Sequence, residues 1–194
     1  MPIVRNAIKV GARVYLRPLE VADAPRFAEA GARETESGHD YRLPVSELAF
    51  VHWITAMSRT RPPREITFAV CEQETDRPLG GVTIRHLDWV NRTGETGSGL
   101  LAAADRGKGL GTEAKHLLLD YCFNDLGLQA VSASVSALNP RSAAALRKQG
   151  YRLAGRLTGD TFKNGAWQDA LIFDLLREEW LAAREGPGGA TKEP

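Results

Sequence analysis

Residues 105–114 read Asp-Arg-Gly-Lys-Gly-Leu-Gly-Thr-Glu-Ala, and they place three glycines at the threshold of a helix. An apolar run, Leu100 to Ala104, precedes them. Apolar residues at Ala114, Leu117, Leu118, Tyr121 and Cys122 follow at helical spacing. A strand, a glycine loop and a helix in that order call for a sheet with a helix packed on it. Gly107, Gly109 and Gly111 let the backbone approach a ligand closely and present several N–H groups together. The helix dipole, Arg106 and Lys108 add positive charge, so the segment suits a phosphate or pyrophosphate. A plain turn is the alternative reading of any glycine-rich loop. Two known phosphate loops do not fit. The Gly-x-x-x-x-Gly-Lys-Ser/Thr pattern is absent, and Gly-x-Gly-x-Gly is not the dinucleotide spacing. Ala130 and Val131 stand where an acidic ribose partner would fall, about 20 residues on.

The remaining pattern is mixed α/β. Val14, Leu16 and Leu19 predict a first strand, and Glu20 to Ala30 a helix with Asp23 near its start. A polar stretch, 31–46, leads to a second helix at about 46–59, and Arg61-Pro62-Pro63-Arg64 breaks the chain. Ile66, Phe68 and Val70 alternate as a strand, and a turn at 75–78 opens another, Leu79 to Leu87. A fourth strand is expected at 95–102, then helix 111–126, a strand at 129–137 and a short helix at 140–149. Two strands near 151–158 and 167–176 close the pattern. A right-handed crossover joins the strands flanking helix 111–126 in parallel; the others read as antiparallel.

The 194 residues suit one domain, expected over 1–185. The tail 186–194 is expected to be disordered, since Gly-Pro-Gly-Gly and charges offer it no core. The net charge of +1 gives no support to nucleic-acid binding through a globally basic surface. Cys71 and Cys122 lie in apolar runs without a CxxC partner and read as buried free thiols, which fits a reducing cytoplasm. No charged-then-apolar leader and no apolar run near 18 residues is present, so neither export nor a membrane span is expected. No metal is expected.

Arg106 to Ala114 resembles the acyl-CoA pyrophosphate loop of GNAT-type N-acetyltransferases. The resemblance continues through Phe123-Asn124-Asp125-Leu126-Gly127-Leu128, Asn139-Pro140-Arg141-Ser142 and Lys148-Gln149-Gly150-Tyr151. The segment Gly165 to Trp180, with Trp167, Asp169 and Glu178-Glu179-Trp180, is similar to the subfamily of ribosomal-protein-alanine acetyltransferases. The resemblance implies an α/β fold: a mostly antiparallel sheet, splayed between strands four and five, flanked by helices, with pantetheine in the gap. It implies acetyl-CoA as acyl donor, an amine acceptor and an N-acetyltransferase activity, with a homodimer as one form of assembly.

By that resemblance Arg106, Gly107, Lys108, Gly109, Leu110 and Gly111 hold the pyrophosphate, with Thr112 capping the helix. The backbone of Leu100, Leu101 and Ala102 pairs with pantetheine, and Asn139 bonds its amide. Asn139 also suits a helix cap, and the two roles are compatible. Deprotonating the amine calls for a base. Glu95 is the first candidate, with a surface acid as its alternative. Asp169 is the second, with a hydrogen bond to backbone as its alternative role, and His86, a lone strand histidine with a structural role as its alternative, the third. Many relatives place a tyrosine seven residues after the asparagine to protonate the thiolate. Here that position is Leu146. Ser142, three residues after Asn139, is the candidate substitute, or an ordinary helix residue. Glu34, Glu36, Asp40 and Glu47 suit a cationic acceptor, as they suit a solvated face. Trp53 and Trp89 read as cleft lining or core. With no cysteine in either motif to relay the acyl group, direct attack is expected. The lost tyrosine motivates an alternative, a non-catalytic acyl-CoA-binding sensor or interaction module.

Overall fold

The computed structural model describes residues 4–33, 46–163 and 165–185. Among these residues, eight strands form one sheet in the order β1-β2-β3-β4-β5-β6-β8-β7. A short β1 (Lys9–Val10) and β2 (Val14–Pro18) lead to helices α1 (Ala24–Arg33) and α2 (Glu47–Arg59). Then come β3 (Ile66–Glu72), β4 (Pro78–Asp88) and β5 (Thr93–Leu100). Helix α3 (Leu110–Asp120) crosses over to β6 (Ala130–Ser136). Helix α4 (Pro140–Lys148), β7 (Arg152–Lys163), β8 (Ala166–Leu176) and α5 (Arg177–Glu185) are the last of the described elements. Among the described residues no helix is long and apolar enough to cross a membrane.

Among the described strands one pair, β5 with β6, is parallel, and α3 is the crossover that makes it so. The pairing is brief: Thr93↔Ala130, Gly94↔Val131 and Glu95↔Ser132. Beyond Glu95 the two strands part, while β5 stays registered on β4 as far as Gly80↔Leu100 and β6 on β8 as far as Ser136↔Ala170. The sheet is therefore splayed where strands four and five of the sequence pattern were expected to separate.

The main core lies between the sheet and α3. Alternating residues of β3 and β4 (Phe68, Val70, Val82, Ile84) meet Leu110, Ala114, Leu118 and Cys122. Helices α1 and α2 pack on each other, with Phe27, Phe50 and Trp53 in an aromatic row of 6.2 and 6.0 Å centroid spacings. Phe27 lies close to β4 at Gly81, where an added Cβ would sit 3.4 Å from its ring. Trp53 thus belongs to this row, and the indole of Trp89 donates to the Pro63 carbonyl at 2.8 Å. A buried two-pronged pair, Arg17 to Asp23 at 2.8 Å on each side, holds the start of α1 to β2. Cys71 and Cys122 are buried free thiols. The helix expected over 111–126 is α-helical only to Asp120 and continues as a π-helical turn, Tyr121–Asp125.

Candidate active site

The glycine loop enters α3 differently from the expectation. Thr112 does not cap the helix: the cap is Gly109, at φ +81°, and α3 begins at Leu110. The Gly109 carbonyl accepts the first helical bond, from Glu113 N at 3.0 Å. A left-handed N-cap needs glycine, since a Cβ is disfavoured at that φ. Gly107 also has positive φ, +79°. Gly111 lies inside the first turn and needs no such freedom.

Long-range contacts hold the loop. The Arg13 guanidinium donates to the Lys108 carbonyl at 2.9 Å and to Glu113 Oε2 at 3.0 Å. Glu113 Oε1 in turn accepts the amides of Arg13 and Val14 at 2.7 and 3.2 Å. At the other end, Asp105 takes a forked bond from Arg77 at 2.9 and 3.1 Å, which holds its carboxyl below the usual range. The loop is thus tied to β2 and to the turn between β3 and β4 before any ligand arrives. It presents the unpaired N–H groups of a helix start beside exposed Lys108, a geometry suited to an anion.

The edge of β5 facing the gap follows from its ladder. Leu101 N donates to Leu79 O at 2.9 Å, so Leu101 is turned toward β4. Antiparallel strands alternate, so Thr96, Ser98 and Leu100 turn their backbone groups toward the side that β6 has left. Leu100 is therefore at the gap, as expected, with its carbonyl accepting from Arg106 at 3.3 Å. Leu101 is not: its amide is used within the sheet. Ala102 lies past the strand, and its carbonyl accepts from Asp105 N at 3.1 Å in a 3-10 turn. Ser98 and Thr96 take the gap-facing places. The parity could not be read from the sequence, because it depends on the register with β4.

At the apex of the splay, side chains replace backbone pairing. The Thr96 hydroxyl donates to Ser132 O at 2.9 Å and lies 2.6 Å from the Tyr151 hydroxyl. Tyr151 is buried, and burial pushes its phenol pKa well up. Lys115, from α3, is buried with its ammonium 5.6 Å from the centre of the Tyr151 ring. Burial lowers its pKa to about 7.

Glu95, the last residue of β5 paired with β6, lies on the opposite face. Its Oε1 accepts from Arg85 Nη2 at 2.6 Å and Nε at 3.2 Å, and its Oε2 lies 3.2 Å from His86 Nδ1. The same face carries Thr83 and Thr67, bonded to each other at 2.7 Å, with Glu65 Oε1 3.3 Å from the Thr67 hydroxyl. Glu95 borders the gap, His86 and Thr83 lie one strand further in on β4, and Thr67 and Glu65 lie at β3; together they offer groups that can receive a cationic amine and its proton.

The other base candidate is not brought there. Asp169 accepts from Gly159 N at 2.9 Å and from Arg156, and these bonds hold its pKa down. Asp174, five residues along β8, is the residue paired with Ser132, the partner of Glu95. Five residues of strand separate Asp169 from the apex level by about 17 Å. Asp169 instead fixes the β7–β8 hairpin. Asn139 caps α4, its Oδ1 accepting from Ser142 N at 3.0 Å. Leu146 is buried in the main core. Glu34, Glu36 and Asp40 lie outside the described residues; Glu47 is exposed in the first turn of α2.

A family model of the acetyltransferase (GNAT) domain matches residues 13–152. The chain belongs to the GNAT acetyltransferases. It is 27% identical over 180 residues to "Probable N-acetyltransferase YjcK" of Bacillus subtilis, covering 87% of this chain and 97% of that protein. It is 32% identical over 89 residues to the spermidine N(1)-acetyltransferase of Escherichia coli K12, a match spanning 46% of this chain and about half, 48%, of that protein. A crystal structure of mutant forms of the spermidine/spermine N-acetyltransferase SpeG of Vibrio cholerae superposes with a TM-score of 0.79 at 22% identity. That superposition covers 90% of this chain and all of the other (100%). The protein is an N-acetyltransferase with the mixed, splayed sheet of its family.

Proposed function

We propose that this GNAT protein moves an acetyl group from acetyl-CoA to a primary amine by direct attack in a ternary complex. The observation that carries this reading is a gap in the sheet with complementary ends. A glycine-capped helix start with Arg106 and Lys108 stands at its mouth. A cluster of Glu95, Arg85 and His86 stands at its apex. Pyrophosphate would sit on residues 106–111, and pantetheine would lie along the gap-facing backbone of Thr96, Ser98 and Leu100. Backbone donors pointed at a thioester carbonyl stabilise the oxyanion that forms on attack. Asn139 is compatible with a pantetheine contact through the part of its amide that does not cap α4. A leaving thiolate with the acidity of an ordinary thiol, pKa about 8.5, needs little help at neutral pH, which suits a chain with leucine at 146.

The acceptor class follows from charge. Glu95 is paired with Arg85, so Glu65 is the carboxylate on this face that supports an alkyl ammonium, and among the similar proteins are spermidine acetyltransferases. A polyamine is therefore the first acceptor to test, and a protein N-terminal α-amine the second. The experiment measures CoA release and acetylated product by mass spectrometry, with acetyl-CoA and a panel of polyamines, amino acids, peptides and aminoglycosides. Product from at least one primary amine, matched one-to-one by CoA, is expected. Tight acetyl-CoA binding with no product from any amine would instead mark a non-catalytic acyl-CoA-binding protein.

A further inference from the structure

The geometry points to His86 as the group that takes the amine's proton, with Glu95 as the residue that orients it. This rests on the acetyltransferase reading and assigns a base within the same site. In a regular strand Arg85 and His86 would point to opposite faces of the sheet. Here both reach Glu95. The β4–β5 register breaks between Arg85 and Asp88, and His86 takes a left-handed backbone, φ +53°. This bulge turns the imidazole back onto the Glu95 face. A non-glycine residue at that φ carries strain, and such strain is concentrated where a side chain must be aimed.

The pairing divides the labour. Arg85 covers Oε1 of Glu95 with two N–H groups, at 2.6 and 3.2 Å, which fixes the carboxylate and neutralises it. Oε2 is left to receive Nδ1–H of His86 at 3.2 Å. A proton held on Nδ1 makes Nε2 the basic nitrogen. The exposures agree: the His86 side chain is 76% exposed and that of Glu95 18%, so the imidazole, not the carboxylate, is the group an incoming amine meets. A base held by a third group is the arrangement of other acyl-transfer sites. Among the described residues, the neighbouring segments carry Glu65, on the same face, Arg64, whose carbonyl accepts from Leu87 N, and Asp88, which is bonded to the turn at Val90 and Asn91. Glu95 and Arg85 act on Lys115 from across the sheet.

The step balances. The ammonium gives one proton to Nε2, and the freed nitrogen lone pair forms the C–N bond at the thioester carbonyl. On collapse the C–S bond breaks and its electron pair leaves with sulfur. The nitrogen's remaining excess proton passes through water to the thiolate, and His86 returns its proton to solvent. The products are the amide, CoA thiol and one proton.

Asparagine tolerates positive φ and is not a base, so His86→Asn preserves the bulge and removes the chemistry. It should lower kcat/KM about 10²-fold or more, with the acetyl-CoA Kd in calorimetry unchanged. His86→Gly, equally tolerant of the backbone, opens a solvent-facing space. Added imidazole should restore its turnover about tenfold, and should fail to do so in His86→Gly/Glu95→Gln. His86→Asn at more than half the wild-type kcat/KM would overturn the proposal and return the role to Glu95. Nitrogen-15 NMR of labelled histidine gives a reading that does not depend on turnover. The neutral ring should carry its proton on Nδ1, and Glu95→Gln should remove that preference. A proton on Nε2 would overturn the dyad even if no acceptor were found, whereas an inactive wild type with the Nδ1 form would count against the acetyltransferase reading alone.

Discussion

Replacing Gly109 with aspartate attacks the loop at its most constrained residue. Gly109 caps α3 at φ +81°, and a Cβ built there lies 3.2 Å from Arg13 Nη2. Any side chain therefore incurs left-handed strain, about 1–3 kcal/mol, and crowds the guanidinium that holds the Lys108 carbonyl. Aspartate adds a negative charge where phosphates are expected. At about 5 Å and an effective dielectric near 20, each phosphate charge is repelled by about 3 kcal/mol, equivalent to about 10²-fold in Kd. The new carboxylate would also pair with Arg13 and occupy the anion's place. Gly107→Ala is the control, because its Cβ meets nothing within 4 Å and only the strain at φ +79° remains. Urea unfolding and acetyl-CoA calorimetry on Gly107→Ala, Gly109→Ala and Gly109→Asp separate strain from charge. Gly109→Asp should bind at least about 10²-fold more weakly than wild type, with most of the loss absent from Gly109→Ala. A folded Gly109→Asp with wild-type affinity would refute the pyrophosphate assignment.

Glu95→Gln should cut kcat/KM by about 10²–10⁴ with acetyl-CoA binding intact, since an amide at 95 can hold His86 in the wrong tautomer; full activity at pH 7 would remove Glu95 from the mechanism. Ser142→Ala should slow turnover about tenfold, equivalent to roughly 1.4 kcal/mol of barrier, and a wild-type rate across pH 6–9 would leave Ser142 as a helix residue only. Leu146→Tyr should lower stability by about 1–3 kcal/mol in urea unfolding, because Leu146 is packed in the core. Lys115→Met should be more stable than wild type at pH 7. The lysine's pKa falls from 10.5 to about 7 on folding, so between those values the unfolded chain binds more protons and wild-type stability rises with pH. The gap between the two proteins should narrow by up to about 1.4 kcal/mol per pH unit from pH 7 toward 10, and a gap independent of pH would refute a buried lysine that sheds its proton.

What the sequence revealed was whatever is written locally. Periodicity and turn residues located the central strands and the two helices that flank β6, and the crossover rule set β5 parallel to β6. The glycine spacing located the loop but not its cap. Thr112 is a good capping residue by type, yet the chain turns earlier, at Gly109, because Arg13 and Glu113 hold the loop there. Those contacts join residues 95 and 100 positions apart and leave no local signal. Which residues of β5 face the gap depends on register, so Leu101, expected there, faces β4, and Ser98 takes a gap-facing place. The strand expected at 151–158 runs on to Lys163, because pairing with β8 resumes at Thr161↔Gln168 after a break beyond Leu157, across which Gly159 N donates to the Asp169 carboxylate. His86 reads as an isolated strand histidine, and only the bulge beside it brings it to Glu95.

The most direct test is a crystal structure with acetyl-CoA and a slow amine acceptor. Pyrophosphate oxygens should lie on the backbone amides of 107–111, pantetheine between β5 and β6, and the thioester carbonyl near Thr96. The acceptor nitrogen should lie within about 3 Å of His86 Nε2, directly or through one water. Pyrophosphate bound elsewhere, or an acceptor nitrogen lying against Asp169, would contradict both the loop assignment and the placement of the base.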